Sequence, residues 1–166
     1  MQHYGLHTRL LDWTQAPLVA LYFAVEGSAD CDAAVFVLDA NRLNTAQNHG
    51  PGMLLPVHPA ASRLIAGAFR SDDPTPEVAA ILPPKIDYRM QQQRSAFTIH
   101  GDNTPLDALD LSSEFLARIY ISGTQRGSIR HQLTALGIDR AHLFPDLSNL
   151  AIHLDEGTGG TGAPPQ

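Results

Sequence analysis

Thirteen consecutive residues, Gln2-His3-Tyr4-Gly5-Leu6-His7-Thr8-Arg9-Leu10-Leu11-Asp12-Trp13-Thr14, crowd chemistry-bearing side chains with almost no filler. A histidine such as His3 supplies a base or a donor, Tyr4 offers a ring to stack on, and Gly5 lets backbone approach closely. Arg9 suits a planar or anionic group, with Asp12 placed to orient it. On this reading His3, Tyr4, Gly5, Arg9 and Asp12 line a ligand pocket. A second reading stands beside it: Arg9 and Asp12 lie three apart in a turn and pair as an internal clamp, with Trp13 as its hydrophobic anchor.

Other reactive residues carry less. His3 and His7 have a spacing that could hold a metal on a helix, but Gly5 between them and the lack of a third ligand argue against a metal site. Tyr22 falls on an apolar stretch, where it reads either as core or as a catalytic ring. Gln93 sits at a helix-to-strand junction beside Gln91 and Gln92. Cys31 lies between Asp30 and Asp32, where negative charge disfavours a thiolate. No Gly-rich phosphate loop, Gly-x-Ser-x-Gly elbow or His-Glu-x-x-His motif occurs.

The elements that must position these residues follow from periodicity and punctuation. The opening segment to Trp13 lacks a period and reads as an ordered loop. Thr14 is an N-cap for a helix from Gln15 to Val25, with Pro17 in its first turn and apolar residues nearly all round. Ala33 to Leu38 reads as an interior strand. Asn41 to Met53 reads as a loop, Ala60 to Phe69 as a helix, and Ile81-Leu82-Pro83-Pro84 as extended or turning. A helix over Ile86–Gln93 precedes a strand over Ala96–His100. Phe115 to Ile121 alternates as a half-buried strand. Ser128 to Leu136 is a helix stopped by Gly137. A last helix follows Phe144-Pro145-Asp146, and Glu156 to Gln166 is a disordered tail rich in Gly, Thr and Pro. Helices and strands without regular βαβ alternation predict an α+β fold, a small mixed or antiparallel sheet with helices packed on it.

Composition sets the outer bounds. The 166 residues suit one domain, and the 43% apolar and 17% charged fractions are those of globular proteins. A net charge of −6 argues against a broad nucleic-acid-binding surface. The basic residues are all Arg except Lys85, which fits codon bias or a use in bidentate recognition. No apolar run is long enough for a bilayer, so no membrane partner is expected. One cysteine excludes an internal disulfide, and a cytoplasmic location is the expectation.

Four places together resemble the FRG-domain family, named for a Phe-Arg-Gly motif. They are the block Gln2 to Thr14, the segment Pro17-Leu18-Val19-Ala20-Leu21-Tyr22-Phe23-Ala24, the Arg89-x-x-x-Gln93-x-x-x-Phe97 element, and the closing Leu133, Gly137-Ile138 and Leu143-Phe144-Pro145-Asp146-Leu147. His7 stands where the family usually shows Pro. The Phe-Arg-Gly segment itself would lie upstream of Met1, so the resemblance implies an N-terminally truncated FRG-like domain over 1–154, with a tail over 155–166. His3-Tyr4-Gly5 with Leu21-Tyr22-Phe23-Ala24 is also distantly similar to two signature elements of ADP-ribosyltransferases. In those enzymes such a His holds the NAD ribose and such a Tyr stacks on nicotinamide. That likeness implies catalytic roles for His3, Tyr22 and Gln93, and NAD as the cofactor. Gln93 would stand where those enzymes carry a Glu, and a carboxamide supplies no full negative charge. The expectation is therefore a domain that binds a nucleotide-like ligand. The alternative is a non-catalytic sensing or interaction module of a larger defence or regulatory protein.

Overall fold

The structure is a computed structural model that describes residues 9–27, 31–69, 74–84 and 88–144. Within them the order is β1 (Leu10–Thr14), α1 (Pro17–Val25), β2 (Ala33–Leu38), α2 (Ala40–Ala46), α3 (Pro59–Phe69), β3 (Val78–Ile81), α4 (Tyr88–Gln92), β4 (Ser95–His100), α5 (Ser112–Phe115), β5 (Leu116–Ile121), α6 (Gly123–Ala135) and α7 (Arg140–Leu143). A 3-10 turn spans Leu106–Ala108. These elements form an α+β arrangement with two small antiparallel sheets, one ordered β1-β4-β3 and one made of β2 and β5.

Register explains what each face of the larger sheet does. Trp13 lies opposite Ala96, Leu11 opposite Thr98, and Val78 opposite His100, so Leu11, Trp13, Val78, Ala80, Thr98 and His100 share one face. There Trp13, Val78 and Ala80 pack with Leu43, Leu106, Leu109 and Phe115. The other face carries Leu10, Ala79, Ile81, Phe97 and Ile99, which pack with Ala61 and Leu64 of α3. A third cluster joins Val19, Tyr22 and Val25 of α1 to Ile121 and to Leu133 and Leu143 of the C-terminal helices.

Helix ends are fixed by specific partners. Thr14 accepts from the Ala16 amide at 3.0 Å, but Ala16 is the N-cap residue and Pro17 begins α1. At the other end, Arg126 donates to the carbonyls of Cys31 and Glu26, and Arg130 to those of Val25 and Gly27. Two guanidiniums one turn apart on α6 thus satisfy the loose carbonyls at the C-terminus of α1, where positive charge also suits the helix dipole. α6 itself ends on Gly137 at φ +76, with Ile138 N–H donating to Leu133 O and Gly137 N–H to Thr134 O. That pair of bonds is a Schellman motif.

Several expectations are corrected. The segment expected to be a loop up to Trp13 holds strand β1, because β4 supplies a ladder partner for a stretch with no period of its own. The expected loop over 41–53 opens with α2, which Asp39 caps by accepting from the Arg42 amide at 3.0 Å. β2 is not interior: β5 is its only strand partner among the described residues, and Phe36 and Val37 are exposed. In β5 likewise Ile119 and Tyr120 are exposed, on opposite sides of the strand. α1 buries one stripe, leaving Leu18 and Phe23 exposed. α6 begins at Gly123, earlier than Ser128. The final helix and the tail lie outside the described residues. No helix among the described residues is long and apolar enough to cross a membrane.

Candidate functional site

β1 is an edge strand of its sheet among the described residues, and α1 and β2 stand across from it. Between them opens a cavity of about 920 Å³. Its apolar walls include Trp13, Phe23, Phe36 and Phe97; its polar lining includes Arg9, Asp12, Arg89, Gln93 and His100. Aromatic surface with a few convergent polar groups is the usual make-up of a small-molecule site.

Arg9 and Asp12 both border this cavity. They do not form the expected clamp: Arg9 Nη1 donates to the Gly101 carbonyl at 2.6 Å. The physical reason is β1. Strand residues alternate between faces, so side chains three apart leave on opposite sides and cannot meet as they would in a turn. Trp13 does act as an anchor, packing into the core while its Nε1 donates to Thr98 Oγ1 at 3.1 Å.

Gln93 also borders the cavity and is 9% exposed. Its Nε2 donates to the Leu143 carbonyl at 3.1 Å, and its own carbonyl accepts from Thr14 Oγ1 at 2.7 Å. Gln15 N–H donates to Arg94 O at 3.0 Å. These bonds fasten the α4–β4 junction to the end of β1 and to α7. Placing Gln93 here among expected site residues is what the structure adds, since three glutamines in a row did not separate one from another.

Tyr22 lies elsewhere. It is 8% exposed in the core beneath α1, and its hydroxyl donates to Glu26 Oε1 at 3.3 Å. Burial, then the nearby Glu26 carboxylate, push its pKa up to about 12. A phenol this deep presents no ring to the cavity; the neighbouring Phe23 does. The helical period explains the exchange, because consecutive residues on a helix point about 100° apart. His3, Tyr4 and Gly5 lie outside the described residues.

Two lining residues were not singled out by their types. His100 Nε2 lies 2.9 Å from Thr98 Oγ1, and burial lowers the ring's pKa from 6.5, against opposing contributions from the Thr104 backbone and Asp102. Neutral imidazole therefore dominates at pH 7. Phe36 reaches the cavity from β2. Its signal was faint: an apolar strand reads as buried wherever its ends lie. Among the described residues no three His, Cys, Asp or Glu side chains gather as a metal site.

The FRG domain family model matches residues 1–33. That stretch contains the crowded opening block, β1 and α1, so the resemblance read from the sequence holds over the N-terminal part of the chain. The Arg89-x-x-x-Gln93 element and the closing helices lie beyond the matched residues. No curated protein and no solved structure matches the chain.

Proposed function

We propose that the cavity between β1, α1, α4 and β2 binds a nucleotide-like small molecule, with NAD among the ligands to be tried. The observation that carries this reading is one aromatic-walled cavity of about 920 Å³, bordered by Arg9, Asp12 and Gln93 and large enough for a cofactor-sized molecule. Phe23, Phe36 and Phe97 offer faces for a planar ring, and Arg9 offers a charge for an anionic group. The distant ADP-ribosyltransferase likeness motivates NAD. Thermal shift and calorimetry with NAD, ADP-ribose and simple nucleotides test the reading. Saturable binding supports it, and absence of binding by every one of them overturns it.

Tyr22 favours a second, non-catalytic version of the same site. The ring that the transferase likeness would stack on nicotinamide is in the core, and Gln93 offers no carboxylate. The domain then senses its ligand without turning it over, as part of a larger regulatory or defence protein. Product in a sensitive NAD-consumption assay would exclude this version.

A further inference from the structure

We infer that Arg89 and Gln93 form the recognition pair of the cavity, and that its ligand is a phosphate ester with a hydrogen-bond donor close to the phosphate. This rests on the cavity reading above and specifies the ligand class.

Arg89 and Gln93 are four residues apart, and Gln93 N–H donates to the Arg89 carbonyl at 2.9 Å. Helical geometry thus continues to Gln93 and sets both side chains on one face, where residues four apart are neighbours. Both line the cavity. Arg89 is half-buried, with its Cζ 4.5 Å from the centre of the Phe144 ring. Its Nε is buried without an acceptor, and the guanidinium has no hydrogen bond or ion pair among the described residues. Arg140 approaches the same ring, but Glu26 balances it at 3.3 Å.

A half-buried guanidinium over an aromatic ring, with no anion paired to it among the described residues, can still gain from an anionic partner. The in-plane N–H groups of a guanidinium suit the paired oxygens of a phosphate. Gln93 supplies the complementary half. Its carboxamide is oriented by the Nε2 bond to Leu143. That orientation leaves Oε1 as an acceptor with no hydrogen bond among the described residues, on a side chain only 9% exposed. An acceptor beside a cation reads an N–H or O–H next to an anion, as on a phosphorylated sugar or nucleoside.

Trp13 is the only tryptophan and lines the cavity, so its emission reports occupancy. Titrations with adenosine, ADP and inorganic pyrophosphate should show ADP binding about 10- to 100-fold more tightly than adenosine, the worth of a charge-assisted contact. The preference should weaken with added salt. Arg89→Met, which keeps an apolar stem beside Phe144, should remove most of the ADP preference, and Arg89→Lys should restore part of it. Equal affinities for adenosine and ADP, or a preference that survives in Arg89→Met, overturn the assignment while leaving a nucleoside site standing. Failure of all three probes overturns the assignment, while the cavity reading itself falls only if NAD and ADP-ribose fail as well. Should Arg89→Met not fold, Arg89→Lys decides: an ADP preference that is unchanged by this loss of the planar fork overturns the assignment, and a reduced one supports it.

Discussion

The indole Nε1 of Trp13 on β1 donates to Thr98 Oγ1 on β4 at 3.1 Å, directly behind the wall of the cavity. Thr98 is fully buried, and its hydroxyl also lies 2.9 Å from His100 Nε2. One hydroxyl therefore serves two rings. Thr98→Val keeps the shape and the strand propensity but leaves the indole N–H without its acceptor. A stability loss of about 1–3 kcal/mol is expected in urea denaturation. Thr98→Ser, which keeps the hydroxyl, should lose markedly less.

Stability should fall as the solution is acidified from pH 7. Burial lowers the pKa of His100 and of His49 from 6.5 in the folded chain. Below that value the unfolded chain takes up protons that the folded chain refuses, so stability rises with pH across the window from the folded pKa to 6.5. The contribution is fully present above the window and is lost as pH falls through it. Denaturation midpoints measured between pH 7.5 and 5 should show this slope, and His100→Gln should flatten it. A midpoint constant over that range contradicts the assignment.

How far the sequence could be read depended on what each segment carried within itself. α3, β4 and the Gly137 stop announced themselves through spacing and turn chemistry that need no distant partner. β1 did not, because its reason for being a strand is β4, more than eighty residues on in the chain, as the 85-residue separation of Trp13 and Thr98 shows. The same blindness gave Arg9 the wrong partner: in a turn Asp12 is near, but on a strand Gly101 is. The cavity was half legible. Arg9 and Asp12 were named from their types and Gln93 through the resemblance, whereas Phe23 displaced Tyr22 through a helical phase that a helix apolar on all sides does not reveal. His100 looked like the end of a strand, and only the return of β4 beside β1 makes it part of the lining.

Arg126 should be the more important of the two guanidiniums that close the end of α1. It is 6% exposed and donates to Cys31 O at 3.0 Å and Glu26 O at 2.6 Å. Arg130, exposed, donates to Val25 O and Gly27 O. Arg126→Met keeps most of the volume but removes both charge-assisted bonds of a buried guanidinium, at a loss of about 1.5–3 kcal/mol. Arg130→Met removes a guanidinium that is itself exposed and already shares its charge with water, so its loss should be smaller. Thermal unfolding of the two single variants ranks them; equal melting temperatures would show that burial does not set the difference.

Asn44 offers a sharper test of the core. Fully buried on α2, it accepts from the Ala80 amide through Oδ1 at 2.8 Å and donates through Nδ2 to Ala80 O at 3.0 Å and Gly52 O at 2.6 Å. Its carboxamide thus behaves as one more strand residue along the backbone of β3. Asn44→Ala removes both halves and leaves the buried Ala80 N–H unpaired, at about 1–3 kcal/mol, while Ala80 O keeps its bond from the Leu54 amide at 3.0 Å. Asn44→Asp should be worse near neutral pH, although it is closest in shape. A carboxylate still accepts from Ala80 N–H, but where Nδ2 donated it presents a second oxygen to two carbonyl oxygens, and it buries a charge besides. Protonation turns that oxygen into a donor, so the folded pKa of the new carboxyl is raised. Its destabilisation should therefore shrink as pH falls through that raised value toward the ordinary Asp range, while the deficit of Asn44→Ala holds steady relative to the unaltered chain. Urea midpoints for both variants at pH 7 and pH 5 check this, and an aspartate deficit that does not narrow at the lower pH would refute it.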